Sequence, residues 1–238
     1  MIYVMSDIHG NLRRFHSIME QISLQSTDTL YVLGDVIDRH PDGIRILWQI
    51  MAMPNVKMLL GNHEHMMLQA LEQPYNEDDT SFPYDTARWL ATSYRNGGEV
   101  THRYLKHLSK ALRSQIFDYL RSLPLEYMLD LGEKQYTLVH AAPPELYRED
   151  GQFYNPTHFA IWKRWQEESI PGDRTVIFGH TPTRHDQPGC PMEIFYGQNR
   201  IGIDCGSGYP DDPSYEYRAY GRLACLRLDD LQVFYSEE

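Results

Sequence analysis

The stretch VKMLLGNHEH, residues 56–65, sets five residues suited to a buried strand directly against Gly61, Asn62, His63, Glu64 and His65. A buried strand needs neither imidazole nor carboxylate for its own stability, so this abrupt change to metal-capable, titratable groups points to chemistry. The same juxtaposition recurs along the chain. IYVM (2–5) runs into SDIHGN, LYVL (30–33) into GDVIDRH, YTLV (136–139) into HAAPP, TVIF (175–178) into GHTPT and RIGI (200–203) into DCGSG. Short β-like runs, several of them separated by helical periodicity, make an α/β pattern. In open α/β sheets, ligands gather outside the carboxyl ends of the strands, where loops from neighbouring strands meet. Six strand ends are therefore expected to converge on one site.

The intervening segments support this reading. Asn11 is a candidate helix cap, followed by Leu12, Phe15, Ile18 and Ile22 on one face, and Ile44, Leu47 and Met51 repeat the pattern after Asp42-Gly43. Residues 103–123 carry Leu105, Leu108, Leu112, Ile116, Leu120 and Leu123 at helical spacing and are closed by Pro124. A mostly helical insertion at about 66–123 is expected, with loops at PYNEDDTSFPYD (74–85) and SYRNGGEV (93–100). The tail LACLRLDDLQVFYS reads as a β-hairpin about Asp229-Asp230. No linker, internal repeat or low-complexity segment interrupts the pattern, so residues 1–238 are expected to form one elaborated domain.

Composition narrows the function classes. At 238 residues the chain can bury a substantial core. A formal net charge of -11 disfavours a nonspecific grip on nucleic acid or an anionic membrane. Cys190, Cys205 and Cys225 form no metal-type pair, and an odd count without a disulfide framework suits a reducing compartment. MIYVMSDIHG has no basic region of a signal peptide, and no apolar run approaches the roughly 20 residues of a membrane span, so a cytoplasmic location is expected.

The polar residues at the strand ends are Asp7, His9, Asp35, Asp38, Arg39, Asn62, His63, His140, His180 and Asp204. This oxygen and imidazole set, without thiolate, suits manganese, iron or catalytic zinc, and is too rich in imidazole for calcium. In Asp7-x-His9 both side chains would leave the same face of an extended segment and reach one ion. His140, His180 and Asn62 arrive from three other strands and could hold a second, while Asp35 can bridge with its two carboxylate oxygens. Two ions roughly 3.5 to 4 Å apart clamp a phosphoryl group and supply a hydroxide nucleophile near neutral pH.

SDIHGN, GDVIDRH, GNHEH, VHAA and FGHTP resemble, in order and spacing, the five motifs of calcineurin-like metallophosphoesterases, and IDCGSG is similar to a later one. The resemblance is to the phosphoprotein phosphatase branch, and within it to the compact bacterial and phage serine/threonine phosphatases. It implies an α/β fold of two facing mixed β-sheets flanked by helices. It also implies a dinuclear centre, with manganese favoured over iron or zinc. Asp7, His9 and Asp35 are assigned to one ion, and Asp35, Asn62, His140 and His180 to the other. His63 is then the proton donor to the leaving alkoxide, oriented by Asp38. An imidazolium held by a carboxylate suits that task near pH 7. Arg39 matches the phosphate-binding arginine, and IWKRW (161–165) resembles a short Trp-x-Arg stretch that makes Arg164 the second candidate. Glu64 is expected to support the turn. His40 and Ala142 stand where the family usually has glycine, so both loops could differ from the common geometry.

The implied activity is hydrolysis of phosphoserine and phosphothreonine in a protein or peptide partner, by direct attack of a hydroxide and without a phosphoenzyme. Symmetrical diadenosine tetraphosphate hydrolysis uses the same kind of centre, but that family commonly has alanine at the position of Asp38. A scaffold that kept the fold and lost catalysis is a third reading, opposed by retention of all six ligand candidates and His63. Asp204 is expected to back the ligands. The remaining histidines (16, 40, 65, 102, 107, 158 and 185) are expected to be structural or at the surface, and the tyrosine-rich stretch 209–220 to be a solvent-facing loop.

Overall fold

A computed structural model describes residues 1–71, 84–149, 151–165, 174–187, 192–209 and 221–237. The strands are β1 (Ile2–Met5), β2 (Thr29–Val32), β3 (Val56–Met58), β4 (Glu126–Leu131), β5 (Lys134–Val139), β6 (Thr175–Phe178), β7 (Phe195–Gly197), β8 (Arg200–Gly202), β9 (Ala224–Arg227) and β10 (Val233–Tyr235). They form two five-stranded sheets, ordered β10-β9-β1-β2-β3 and β4-β5-β6-β8-β7. In the first sheet β1, β2 and β3 are parallel, and in the second β5, β6 and β8 are parallel. Each parallel trio ends at one side of the molecule, and antiparallel strands complete both sheets. The expected mixed α/β architecture is therefore present.

Strand alternation sorts the core into layers. Val4, Tyr31 and Leu33 meet Leu138, Ile177 and Ile201 between the sheets. The alternate residues Tyr3, Met5, Leu30 and Val32 face outward onto helices α1 (Leu12–Ile22) and α2 (Gly43–Ala52), through Phe15, Ile18, Ile44 and Leu47. On the far side, Val139, Val176 and Phe178 pack against Phe159 of α7 (Pro156–Trp162) and against Trp165. With both faces of each sheet covered, only the strand ends remain open for polar chemistry.

The segment between β3 and β4 holds helices α3 (Asn62–Leu71), α4 (Tyr84–Arg95), α5 (Glu99–Lys106) and α6 (Lys110–Arg121). The single helical run read over 103–123 is thus two helices. Ser109 accepts a hydrogen bond from the Leu112 amide at 3.3 Å and starts a new helix there, so Leu105, Ile116 and Leu120 are buried while Leu112 is 40% exposed. The loop expected at 93–100 shrinks to the three-residue turn Asn96–Gly97–Gly98, because α4 continues to Arg95 and α5 starts at Glu99. The acidic loop at 74–85 falls almost entirely outside the described residues, as do Cys190 and residues 210–220 of the tyrosine-rich stretch. Cys205 and Cys225 are free and buried. No helix among the described residues is long and apolar enough to cross a membrane.

Candidate active site

Only three residues separate β3 from α3, so Asn62, His63 and Glu64 form the first turn of that helix and sit at the mouth of the parallel strands. The neighbouring loops are zipped together by backbone hydrogen bonds. The amides of Asp7, His9 and Gly10 donate to the carbonyls of Gly34, Asp35 and Val36 at 3.2, 2.9 and 2.7 Å. The extended Asp7-x-His9 segment expected from the sequence is not found. β1 ends at Met5, and Asp7 and His9 have φ of 55° and 51°. Two left-handed residues curl the loop inward, so its carboxylate and imidazole converge by a route that strand alternation does not provide.

Asp35, Asp38, Arg39 and His180 also have positive φ, between 54° and 71°. Each such non-glycine residue costs about 1 kcal/mol or more, and the clustering of six at the strand ends is the mark of a functional constraint. Neither His40 nor Ala142 has positive φ, so the absence of glycine at those positions distorts neither loop.

Glu64 holds the strained loops together. Its carboxylate accepts from the amides of Asp35 at 2.8 Å, Val36 at 2.9 Å, Ile37 at 3.3 Å and Gly61 at 3.2 Å. Burial and the Asp35 carboxylate push its pKa up to about 7, against the pull of the backbone amides. A Glu64→Gln change puts an NH2 group against two or more amide donors. We expect it to lower the unfolding free energy of the metal-free protein by about 2 to 3 kcal/mol, read by chemical denaturation. A loss below about 0.5 kcal/mol would show that these bonds do not hold the loop.

Asp35 lies at the centre of the site. Its Oδ2 is 3.8 Å from both His9 Nε2 and His63 Nε2, and its Oδ1 is 3.5 Å from His140 Nε2. The groups His9–Asp35–His63 and Asp35–His140–His180 each bring three ligand atoms within 4.8 Å of one another, and share Asp35. Asp7 Oδ1 lies 3.8 Å from His9 Nε2. His9 Nδ1 and His140 Nδ1 donate to the carbonyls of Ile37 at 3.1 Å and Leu33 at 2.6 Å, which leaves each Nε2 lone pair facing inward. Asn62 Oδ1 then lies 2.9 Å from His140 Nε2 and 2.8 Å from His180 Nδ1. With its Nδ1 proton given to Leu33, His140 turns the Nε2 lone pair toward the Asn62 oxygen, an arrangement suited to a cation held between them.

The electrostatics agree with a cation. Burial keeps His9 and His140 below the ordinary histidine range, and His180 falls to about 3 through burial and the neighbouring His140. All three are thus poised as neutral ligands. Burial, Asp204 and Asp35 push Asp7 well above the usual carboxylate range, a repulsion that divalent ions would relieve. Asp204 is itself buried, raised to about 6 chiefly by that burial, and its Oδ1 accepts from the Gly206 amide at 2.9 Å. The donor set therefore fits a pair of divalent ions.

His63 differs from the other histidines. Its Nδ1 is 2.8 Å from Asp38 Oδ2, and its Nε2 is 3.4 Å from Arg39 Nη2. Burial opposes its charge, but Asp35 and the hydrogen-bonded Asp38 outweigh this and hold it above the ordinary histidine range. A cleft of about 430 Å³ opens over Asp35, Asn62, His63 and His180, with Arg39 and Arg164 both lining it. Asn96, Gln152, Phe153, Trp162 and Lys163 complete the lining. Of these, Trp162 is the tryptophan of the Trp-x-Arg stretch that pointed to Arg164, whereas Asn96, Gln152 and Phe153 were not singled out, since loop residues carry no periodic signal.

Residues 1–200 match the family model for calcineurin-like phosphoesterases. The chain belongs to that family. A symmetrical bis(5'-nucleosyl)-tetraphosphatase of Delftia acidovorans is 34% identical over 189 residues, 77% of this chain and 58% of that protein. Serine/threonine-protein phosphatase 2 of Escherichia coli is 38% identical over 72 residues, 30% of this chain and 33% of that protein. Other tetraphosphatases, such as that of Erwinia tasmaniensis, match over about a quarter of their own length. Among solved structures, a proposed diadenosine tetraphosphatase superposes with a TM-score of 0.63, at 16% identity, over 98% of this chain and 91% of that one. The fold is thus similar over nearly the whole chain at low identity.

Proposed function

We propose that this phosphoesterase hydrolyses phosphoserine and phosphothreonine monoesters in a protein or peptide substrate. The observation that supports this reading most is the 2.8 Å contact between Asp38 and His63, with His63 lining the cleft beside Arg39. A serine or threonine alkoxide is a poor leaving group and needs a proton as it departs, and an imidazole held by a carboxylate is built to give one.

Each residue has a task in this reading. Arg39 and Arg164 bind phosphoryl oxygens that do not react, and fix the ester over the strand ends. His63 delivers the proton from Nε2 to the departing oxygen, while Asp38 holds Nδ1 and stabilises the imidazolium. Asp7, His9 and Asp35 would hold one divalent ion, and Asp35, Asn62, His140 and His180 the other, with manganese the best match and iron or zinc next. When bound, such a pair supplies Lewis acidity toward the phosphoryl group and the attacking water. Phe153 and Trp162 add apolar surface to the lining of the cleft.

A second reading, hydrolysis of diadenosine tetraphosphate, draws support from the 34% identity to the Delftia relative. The deciding experiment supplies manganese-loaded protein with phosphoserine, phosphothreonine and phosphotyrosine peptides and, separately, with diadenosine tetraphosphate. We expect kcat/KM on the phosphoserine and phosphothreonine peptides to exceed that on the dinucleotide by about tenfold or more. A preference of that size in the opposite direction moves the function to the second reading. No turnover together with no bound metal would leave a binding scaffold.

A further inference from the structure

The strained pair Asp38–Arg39 belongs to the loop after β2, yet neither of its amides is received by a sheet. The Asp38 amide donates to Thr101 Oγ1 at 3.1 Å, and the Arg39 amide to the Gly97 carbonyl at 3.0 Å. Thr101 is 4% exposed, so losing its oxygen strands a buried donor. Gly97 has φ of 89°, and a Cβ there would lie 3.0 Å from Arg39 Cα and 3.0 Å from its Cγ. Only glycine allows this turn to approach the arginine backbone so closely. Gly98 is confined in the same way, because a Cβ on it would overlap the Ser93 hydroxyl. The adjoining Asn96 lines the cleft and is tied back by its Nδ2, which donates to the Thr92 carbonyl at 2.8 Å.

We infer that the turn between α4 and α5, through Gly97, and the first turn of α5, through Thr101, position Asp38 and Arg39 for phosphoester binding and proton transfer, so that the helical segment between β3 and β4 is a working part of the site. The physical reason is that two successive left-handed residues return to extended or helical backbone unless their amides are held. Asp38 has φ of 71° and Arg39 of 66°, and the bonds their amides donate to Thr101 and Gly97 hold them there. Relaxation would swing the Arg39 guanidinium off the phosphoryl position and lengthen the Asp38–His63 contact. A displacement of about 1 Å in such groups costs up to about 100-fold in rate.

This inference rests on the proposed roles of Asp38 and Arg39, and its test separates the two. Gly97→Ala, Thr101→Val and Thr101→Ser are compared with wild type in the full chain loaded with manganese. The readouts are metal content, thermal midpoint, affinity for inorganic phosphate by calorimetry, and kcat and KM on p-nitrophenyl phosphate and a phosphoserine peptide. Gly97→Ala is expected to weaken phosphate affinity and raise KM by about 10- to 100-fold with metal content unchanged. Thr101→Val should lower kcat, more on the phosphoserine peptide than on p-nitrophenyl phosphate, and Thr101→Ser should restore most of it. If Gly97→Ala does not fold, the Thr101 pair decides. Variants that melt earlier but keep the wild-type phosphate affinity, KM and ratio between substrates would overturn the inference and leave the turn merely structural. A wild type that binds phosphate but hydrolyses neither ester would defeat the phosphatase reading alone, because the phosphate arm still measures whether Gly97 positions Arg39.

Discussion

His63→Asn is expected to lose on the order of 10² to 10⁴ in kcat on a phosphoserine peptide, the usual worth of a positioned general acid, while keeping near-normal metal content. Asparagine is small enough to fit the first turn of α3, and the backbone amide of residue 63 can still donate to Asp35 Oδ1, as it does now at 3.0 Å. What it removes is the imidazole, held by Asp38 at Nδ1 and beside Arg39 at Nε2. The leaving group provides the control. A p-nitrophenolate departs without a proton, so the same variant should be hurt much less on p-nitrophenyl phosphate. Equal losses on both substrates, with metal retained, would mean that His63 orients the phosphoryl group or the water and donates no proton. The 3.4 Å approach of Arg39 to Nε2 makes that alternative concrete, since a residue coupled to the arginine would depress both reactions together.

Much of this candidate site could be read from residue order, because all of its side chains except Arg164, which follows α7, lie within a few residues of a strand end. The apolar runs at 2–5, 30–33, 56–60, 136–139, 175–178 and 200–203 mark strands that the structure contains, two of them with the same bounds and the others shifted by one or two residues. β4 and β7 left no such mark. β4 alternates half-buried and exposed positions along one edge of its sheet, and β7 has three residues at the other edge, so neither buries enough apolar surface to stand out. Backbone conformation was also hidden. Nothing in SDIHGN announces that Asp7 and His9 are left-handed, because the conformation is imposed by amide bonds to the loop after β2. The Glu64 carboxylate serving four amides, and the Gly97 and Thr101 contacts to Asp38 and Arg39, are likewise long-range. They join segments that no local pattern connects.

Asp35→Asn addresses the centre of the site. Its carboxylate is the element shared by the two three-residue ligand groups, and those groups draw His140 and His180 from one sheet and His9 from the other. Histidines on all sides hold it below the usual carboxylate range despite the burial that opposes its charge. A neutral amide of nearly the same shape keeps the fold but loses the charge that would balance two cations. Activity should then fall by about 10³-fold or more, with no bias between leaving groups. The most direct measurement is bound manganese per chain by elemental analysis after equilibration and gel filtration, taken on wild type and Asp35→Asn alongside turnover. Two ions per wild-type chain, dropping to one or fewer in the variant together with activity on both esters, is the expected result. Unchanged metal stoichiometry in Asp35→Asn, or a wild type fully active after exhaustive metal removal, would contradict a centre bridged by Asp35.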